Sequence, residues 1–116
     1  MKATELRVGN LVKAKHTNGN PNKWVVIQIK PEHIVTCSDK PKWFKPIPLT
    51  EEWLIKFRFS YMVDYTIQIN GFTICFEKQG KHLFCFLESI GLEIYYVHQL
   101  QSLYFSLTNQ ELKIEP

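Results

Sequence analysis

The dipeptide Asn70-Gly71 stands between two runs of alternating apolar and polar residues, and it constrains the fold more than any other feature of the sequence. Both residue types readily adopt a positive φ angle, which the two-residue type I′ turn of a β-hairpin requires. Pairing outward from this turn sets Ile69 opposite Phe72, Ile67 opposite Ile74 and Tyr65 opposite Phe76. We therefore predict a hairpin with one largely apolar face.

A second, looser turn is predicted at residues 78–81, and it extends the hairpin into a β-meander. In the expected register Phe76 faces Leu83, Ile74 faces Cys85 and Phe72 faces Leu87. Cys75 and Cys85 then point to opposite faces of the sheet, so we expect no disulfide between them.

A fourth strand at 92–95 is expected to lead into a helix from about 97 to 108, because apolar residues recur there at helical spacing. The residues of this apolar stripe are Val97, Leu100, Leu103, Tyr104 and Leu107. Asn109 is a suitable helix stop, since asparagine tolerates the left-handed conformation that ends many helices. Residues 112–114 are expected to form a last edge strand.

The N-terminal part of the chain indicates a second small sheet. Two strands are predicted around residues 6–12 and 23–30, with Gly9 marking a bend, and a third at 33–37 after the break at Pro31. The prolines between 41 and 48 favour a stiff, extended connector. Thr50 is a suitable N-cap for a helix from about 51 to 58.

Together these elements predict an α+β fold with two small antiparallel sheet regions, each followed by a helix. The N-terminal sheet is expected to be curled like an SH3-like barrel. The length fits one domain, which we divide into an N-terminal β region at 1–40, a connector and helix at 41–59, and a β-meander with a helix at 60–116.

The composition favours an ordinary globular protein. The first residues are too polar for a signal peptide, and no apolar run approaches the roughly 20 residues of a membrane span, so we expect a cytoplasmic location and no membrane association. The three cysteines have neither the spacing of a disulfide framework nor that of a metal site, and we expect reduced thiols and no bound metal.

The net charge of +3 is unevenly distributed. Residues 1–58 carry 11 basic and 5 acidic residues, a net of +6, whereas residues 59–116 carry 3 basic and 6 acidic residues, a net of −3. The basic half is the better candidate for binding an anion, although scattered lysines are also typical of a solvated surface. No phosphate-binding loop, nucleophile elbow or other catalytic motif is present, so we expect a non-enzymatic protein without a cofactor.

Three segments resemble a family of small uncharacterised proteins from phages and prophages of Bacteroidetes-type bacteria. They are Leu6-Arg-Val-Gly-Asn10, the helix containing Ile47-Pro-Leu-Thr-Glu-Glu-Trp-Leu54, and the helix containing Tyr96-Val-His-Gln-Leu-Gln-Ser-Leu-Tyr-Phe105. The resemblance implies a phage accessory protein that acts in the bacterial host by binding a host component. It implies no particular activity.

The connector combines two cations with two large rings, since Lys42, Trp43, Phe44 and Lys45 follow one another between prolines. Lys42, Trp43 and Lys45 are the candidate ligand-binding residues among them. Aromatic rings stack on bases and lysines attract phosphate, so these residues and Arg58 are candidates to contact a nucleotide. His98 and Gln101 lie on adjacent positions of the last helix and are expected to add hydrogen bonds from its surface. Trp43 could equally anchor the connector in the core, and His98 and Gln101 could bind a neighbouring loop.

These residues lead to one functional hypothesis and two alternatives. The first is a counter-defence protein, expected to be a homo-oligomer, that binds and sequesters a nucleotide-derived immune signalling molecule. The second is a nucleic-acid-binding module built on the N-terminal sheet, and the third is an adaptor that inhibits a host protein.

Overall fold

The computed structural model describes residues 1–15, 23–57, 66–87, 91–112 and 114. Within them the strands are β1 (Leu11–Lys15), β2 (Trp24–Gln28), β3 (Phe44–Lys45), β4 (Thr66–Ile69), β5 (Phe72–Gln79), β6 (His82–Leu87) and β7 (Leu92–Ile94). The helices are α1 (Pro31–Asp39), α2 (Glu51–Lys56) and α3 (Val97–Thr108), with short 3₁₀ turns at Ala3–Glu5 and Pro41–Trp43. The predicted α+β class with two small antiparallel sheets is confirmed.

The chain forms two compact units, residues 1–47 and residues 48–116. The boundary falls inside the predicted connector. The first unit contains a three-stranded sheet in the order β2-β1-β3, and the second contains a four-stranded sheet in the order β4-β5-β6-β7. In the part of the chain that the structure describes, no helix is long and apolar enough to cross a membrane.

One face of the first sheet carries the core of its unit. Val12 and Ala14 on β1 point to this face, and Phe44 on β3 pairs with Ala14. The buried residues of the cluster are Leu6, Val12, Ala14, Ile29, Cys37 and Phe44. Because side chains alternate along a strand, the residues between these positions point to the opposite face.

The segment Leu6–Asn10 closes onto the end of β2. The backbone N–H of Arg7 donates to Oδ1 of Asn10 (2.7 Å), and the backbone N–H of Ile29 donates to the carbonyl oxygen of Asn10 (2.8 Å). Asn10 is fully buried, and Gly9 adopts a φ of 97° that disfavours any residue with a Cβ atom. This segment therefore has a structural role, and the bend predicted at Gly9 lies just before β1.

The predicted third strand at 33–37 is wrong, because these residues lie in α1. Pro31 does interrupt the preceding strand, but it occupies the first turn of a helix, where its fixed φ and missing N–H are tolerated. The imidazole Nδ1 of His33 accepts a hydrogen bond from the backbone N–H of Lys30 (2.9 Å), which satisfies a donor at the helix start. Cys37, near the end of α1, is buried in the core cluster and packs the helix against it. The third strand of the sheet is β3, which lies in the segment predicted to be a stiff, extended connector.

The hairpin at Asn70-Gly71 is confirmed. Asn70 and Gly71 have φ angles of 49° and 83°, the signs of a type I′ turn, and Ile69 pairs with Phe72 as predicted. The pair of Ile67 and Ile74 is confirmed as well. The predicted pair of Tyr65 and Phe76 lies outside the described residues.

The predicted register of the second hairpin is wrong by two residues. Phe76 pairs with Cys85 and Ile74 with Leu87, because the turn contains only two residues, Gly80 and Lys81. Gly80 has a φ of 62°, which suits the first central position of a type II′ turn. A shift of two preserves the faces of a strand, so the apolar face was assigned correctly. Its buried residues are Ile74, Phe76, Leu83, Cys85, Leu87 and Ile94.

The last two predicted elements of the meander are present. β7 forms the fourth strand, and α3 ends at Asn109, whose φ of 56° is left-handed. Nδ2 of Asn70 donates to the carbonyl oxygen of Leu107 in the last turn of α3 (2.6 Å), so the hairpin turn caps the helix. The edge strand predicted at 112–114 is wrong at Leu112 and Ile114, the two described positions, since neither is in a strand.

The segment before α2 packs between strands of the second unit. Leu49, which is fully buried, donates its backbone N–H to the carbonyl oxygen of Tyr95 (2.9 Å) and accepts from the N–H of Leu83 (2.8 Å). Thr50 occupies the N-cap position of α2 as predicted, although its side chain makes no capping hydrogen bond.

Candidate functional site

The face of the first sheet that points away from its core carries three lysines. We call this surface the basic face, and its residues are Leu11, Lys13, Lys15, Trp24, Val26, Gln28 and Lys45. They share a side because Val12 and Ala14, which alternate with Lys13 and Lys15, are buried. Val26 at its centre is 48% exposed. The basic face therefore combines positive charge with an apolar platform.

Two of these lysines lie directly opposite each other. Lys13 on β1 and Lys45 on β3 are cross-strand partners, so their Cβ atoms are about 5 Å apart. Like charges at opposite positions of neighbouring strands destabilise a sheet. Lys15 follows on the same side of β1, about 7 Å along the strand from Lys13. This arrangement concentrates positive potential, and a bound anion would relieve the repulsion.

An aromatic ring completes the basic face. Trp24 on β2 is the cross-strand partner of Lys15, and Nζ of Lys45 lies 4.3 Å from the centre of the Trp24 ring. Lys45 is on β3 and Trp24 is on β2, with β1 between them. The Lys45 side chain therefore reaches across the middle strand, and its ammonium group is held over the ring by a cation–π interaction.

No carboxylate belongs to the basic face, and none forms an ion pair with Lys13, Lys15 or Lys45 among the residues that the structure describes. Lysines of the second unit differ in this respect. Lys78 lies 3.2 Å from Glu51, and Lys56 lies 3.9 Å from Glu52. Within the described residues, no carboxylate neutralises the positive charge of the basic face.

Of the connector residues predicted to bind a ligand, the structure places one on the basic face. Lys45 lies there, whereas Trp43 packs against the core cluster and Nζ of Lys40 covers its ring at 4.1 Å. Lys42 is exposed in the 3₁₀ turn before β3. The alternative considered for Trp43, an anchor of the connector in the core, matches its position.

The expectation that His98 and Gln101 lie on the surface of the last helix is wrong. Each is only 2% exposed, because α3 buries more of its circumference than the predicted stripe. Nε2 of Gln101 donates to the carbonyl oxygen of Leu112 (3.2 Å), so this side chain holds the segment that follows α3. The ring of His98 stacks on Tyr96 with a centroid distance of 6.0 Å.

The remaining candidate, Arg58, lies outside the described residues. The others fall in two units, with Lys42, Trp43 and Lys45 in the first and His98 and Gln101 in the second. Neither unit by itself assembles the site that the sequence suggested.

Sequence reasoning missed Lys13, Lys15 and Trp24. The alternation in Leu11-Val-Lys-Ala-Lys15 contained the signal for the first two, since it sets both lysines on the side of the strand opposite Val12 and Ala14. The position of Trp24 follows only once β1 and β2 are paired in register.

The thiols occupy different environments. Burial raises the pKa of Cys85 to about 12, and burial likewise raises the pKa of Cys37. Cys75 and Cys85 point to opposite faces of the second sheet, as predicted. Over the described part of the chain, no three side chains of the metal-binding types cluster closely enough to hold a metal ion.

Comparison with protein-family models, with curated proteins and with solved structures finds no match.

Proposed function

We propose that this protein is a non-enzymatic nucleic-acid-binding protein that holds a single strand on the basic face. The observation that carries the proposal is the pairing of Lys13 with Lys45, beside Lys15 and without a compensating carboxylate among the described residues. The sheet keeps a destabilising cluster of like charge at its surface, and a polyanion is the ligand class that such a cluster attracts most strongly.

The shape of the basic face favours a nucleic-acid strand over a compact anion. Its lysines are distributed over two strands and two rows of the sheet, and Trp24 and Val26 lie between or beside them. Proteins that bind single strands combine a positively charged track for the phosphates with aromatic rings on which bases stack. Both components are present on one side of one sheet.

The resemblance to phage proteins supplies a setting for this proposal. In the cytoplasm of an infected bacterium, a protein of this kind would bind nucleic acid during phage replication or gene control. The binding would require neither a catalytic group nor a cofactor.

Sequestration of a nucleotide-derived immune signal by a homo-oligomer is a second candidate, and one observation supports it. The pair of Trp24 and Lys45 offers one ring and one ammonium group, which is the minimum needed for one base and one phosphate. The two candidates differ in how affinity depends on ligand length. A strand-binding face predicts affinity that rises from a dinucleotide to a 12-nucleotide strand, whereas sequestration predicts affinity that is already maximal for the small ligand.

The proposal is tested by fluorescence anisotropy with a labelled 12-nucleotide single strand at several salt concentrations. The test variant is K13Q/K15Q/K45Q. The matched control is K2Q/K30Q/K81Q, which removes the same charge from exposed lysines outside the basic face. Each lost phosphate contact should lower the magnitude of the slope of log K against log salt by about 0.7, so the test variant should lose about 2.

We expect the control variant to bind nearly as tightly as the wild type and the test variant to bind at least about tenfold more weakly at low salt. Equal loss in both variants would show that only net charge matters and would contradict the proposal. A wild-type protein without affinity for strands or nucleotides would also overturn it and would favour the third hypothesis, an adaptor that inhibits a host protein.

A further inference from the structure

We infer that Trp24 is the base-stacking residue of the basic face and that Lys45, which covers its ring in the unliganded protein, transfers to a phosphate when a strand binds. This inference rests on the proposed function. It deepens that proposal by assigning the base and the phosphate of one nucleotide to two named side chains, and it predicts selectivity for polymers that carry bases.

The position of the Trp24 ring suits a stacking role. Trp24 is half-buried at the start of β2, with Lys15 as its cross-strand partner and Nζ of Lys45 4.3 Å from its ring centre. The ring therefore has one ammonium group over its face and a second lysine at the paired position of the neighbouring strand. A base stacked on this ring would have lysines of two strands nearby to bind its phosphates.

Among the described residues, the other two lysine–tryptophan pairs make further contacts that the pair of Lys45 and Trp24 does not make. Trp43 packs against the core cluster of its unit. Trp53 lies 5.9 Å from Phe57, and Lys56, which covers Trp53 at 4.6 Å, is also within 3.9 Å of Glu52. Lys45 has no carboxylate partner among the described residues, so leaving the ring breaks no ion pair.

Exchanging the Lys45 ammonium group for a base replaces a weak contact on the Trp24 ring with a stronger one. A cation–π contact at an exposed site is weak, whereas stacking of a base on an aromatic ring is stronger and the ammonium group regains a charged partner in the phosphate. Lys45 also lies opposite Lys13, and a phosphate bound between the two ammonium groups would relieve the repulsion between them. The exchange is therefore favourable for a ligand that has both a base and a phosphate.

A ligand with phosphates alone behaves differently. Inorganic polyphosphate can neutralise Lys13, Lys15 and Lys45, but it has nothing to stack on Trp24. The basic face should therefore hold it by charge alone, with an affinity that does not depend on the ring.

The experiment compares two probes on the full-length protein, a labelled 12-nucleotide oligothymidylate and inorganic polyphosphate of similar charge used as a competitor. The variants are Trp24→Leu, which removes the ring, and Trp24→Phe, which keeps a smaller ring. We expect Trp24→Leu to weaken oligothymidylate binding about 5- to 100-fold, with Trp24→Phe in between, and to leave polyphosphate binding within about twofold of wild type.

The wild-type protein offers a readout that does not depend on the folding of a variant. Nuclear Overhauser effects between the Lys45 side chain and the Trp24 ring should disappear when oligothymidylate is added and be replaced by effects from thymine protons to the ring. Polyphosphate has no base, so adding it should produce no new nuclear Overhauser effects to the Trp24 ring.

The inference is overturned if Trp24→Leu binds oligothymidylate as well as the wild type, if it loses both probes equally, or if Lys45 stays on the ring in the complex. A failure of the proposed function has a different signature, because the wild-type protein would then bind neither probe in a salt-dependent way.

Discussion

Lys13 and Lys45 are direct cross-strand partners on the exposed side of the first sheet, and no carboxylate in the described chain forms an ion pair with either of them. Among the described residues, Lys13 has no aromatic partner, whereas Lys45 covers Trp24. Replacing Lys13 therefore removes the repulsion and leaves the contact of Lys45 with Trp24 in place.

We predict that Lys13→Gln stabilises the unliganded protein by roughly 0.2–1 kcal/mol at low salt and weakens its binding to a single strand. The gain should disappear near 1 M salt, where the Debye length falls to about 3 Å. Urea unfolding at both salt concentrations measures it, with Lys30→Gln as the charge-matched control. A loss of stability at low salt, or a gain that persists at high salt, would contradict the electrostatic explanation.

Asn70 combines two roles, because it adopts a positive φ in the hairpin turn and its amide caps the end of α3 at Leu107. Asn70→Gly retains the backbone conformation and loses the cap, so we expect a loss of about 0.5–1.5 kcal/mol in the free energy of unfolding. Asn70→Ala loses the cap as well and places alanine, which tolerates the left-handed region less well than asparagine or glycine, at this φ, so it should cost about 1 kcal/mol more. Urea denaturation distinguishes the two, and equal stability of both variants would refute the dual role.

Gln101 holds the segment after α3 through its hydrogen bond to Leu112. Gln101→Leu fills a similar volume but leaves that carbonyl oxygen without its donor, so we expect a loss of about 1–3 kcal/mol in stability. Strand binding should be unchanged. Gln110→Leu, at an exposed position, is the control for added apolar surface. A variant that is stable but loses ligand affinity would instead restore the ligand-binding role that the sequence suggested.

Cys85 links stability to alkaline pH, since burial raises the pKa of its thiol from 9.0 to about 12. The folded state holds the proton more tightly than the unfolded state, so this contribution is complete below pH 9 and is lost as the pH rises towards 12. At pH 11 the loss amounts to roughly 2–3 kcal/mol. Comparing wild type with Cys85→Ala between pH 8 and pH 11 isolates it, because the other titrating groups are shared. Parallel pH profiles would show that the thiol is not buried in this way.

The second unit was largely predictable because its determinants are local. Asn70-Gly71 and Asn109 specify backbone conformations by themselves, and the alternation around them assigns the faces. The register of the second hairpin was not predictable to the residue, because Gly80 supports both a two-residue turn and a longer loop. The predicted register differed from the observed one by two residues, so the cross-strand partners were wrong but each side chain was assigned to the correct face.

The first unit was less predictable because two kinds of local signal compete. Ile34, Val35 and Thr36 are β-branched and favour a strand, whereas Pro31 and His33 favour a helix start, and packing of Cys37 on the core accompanies the helix. Once that segment is a helix, the third strand of the sheet comes from Phe44 and Lys45.

The basic face forms only when β1 pairs with β2 and β3, and this is why only one of its residues was identified from the sequence. Lys13, Trp24 and Lys45 are up to 32 positions apart in the chain and meet only on the assembled sheet. His98 and Gln101 were misplaced for a related reason, since periodicity locates an apolar stripe but not how much of the helix its neighbours cover.

Binding of a nucleic-acid strand to the basic face can be tested by titrating the ¹⁵N-labelled protein with a 12-nucleotide single strand and following the amide chemical shifts and the indole signals of tryptophan. We expect the largest changes on the basic face, at Lys13, Lys15, Trp24, Val26 and Lys45. Changes centred on the second unit, or no changes at low salt, would contradict the proposed binding.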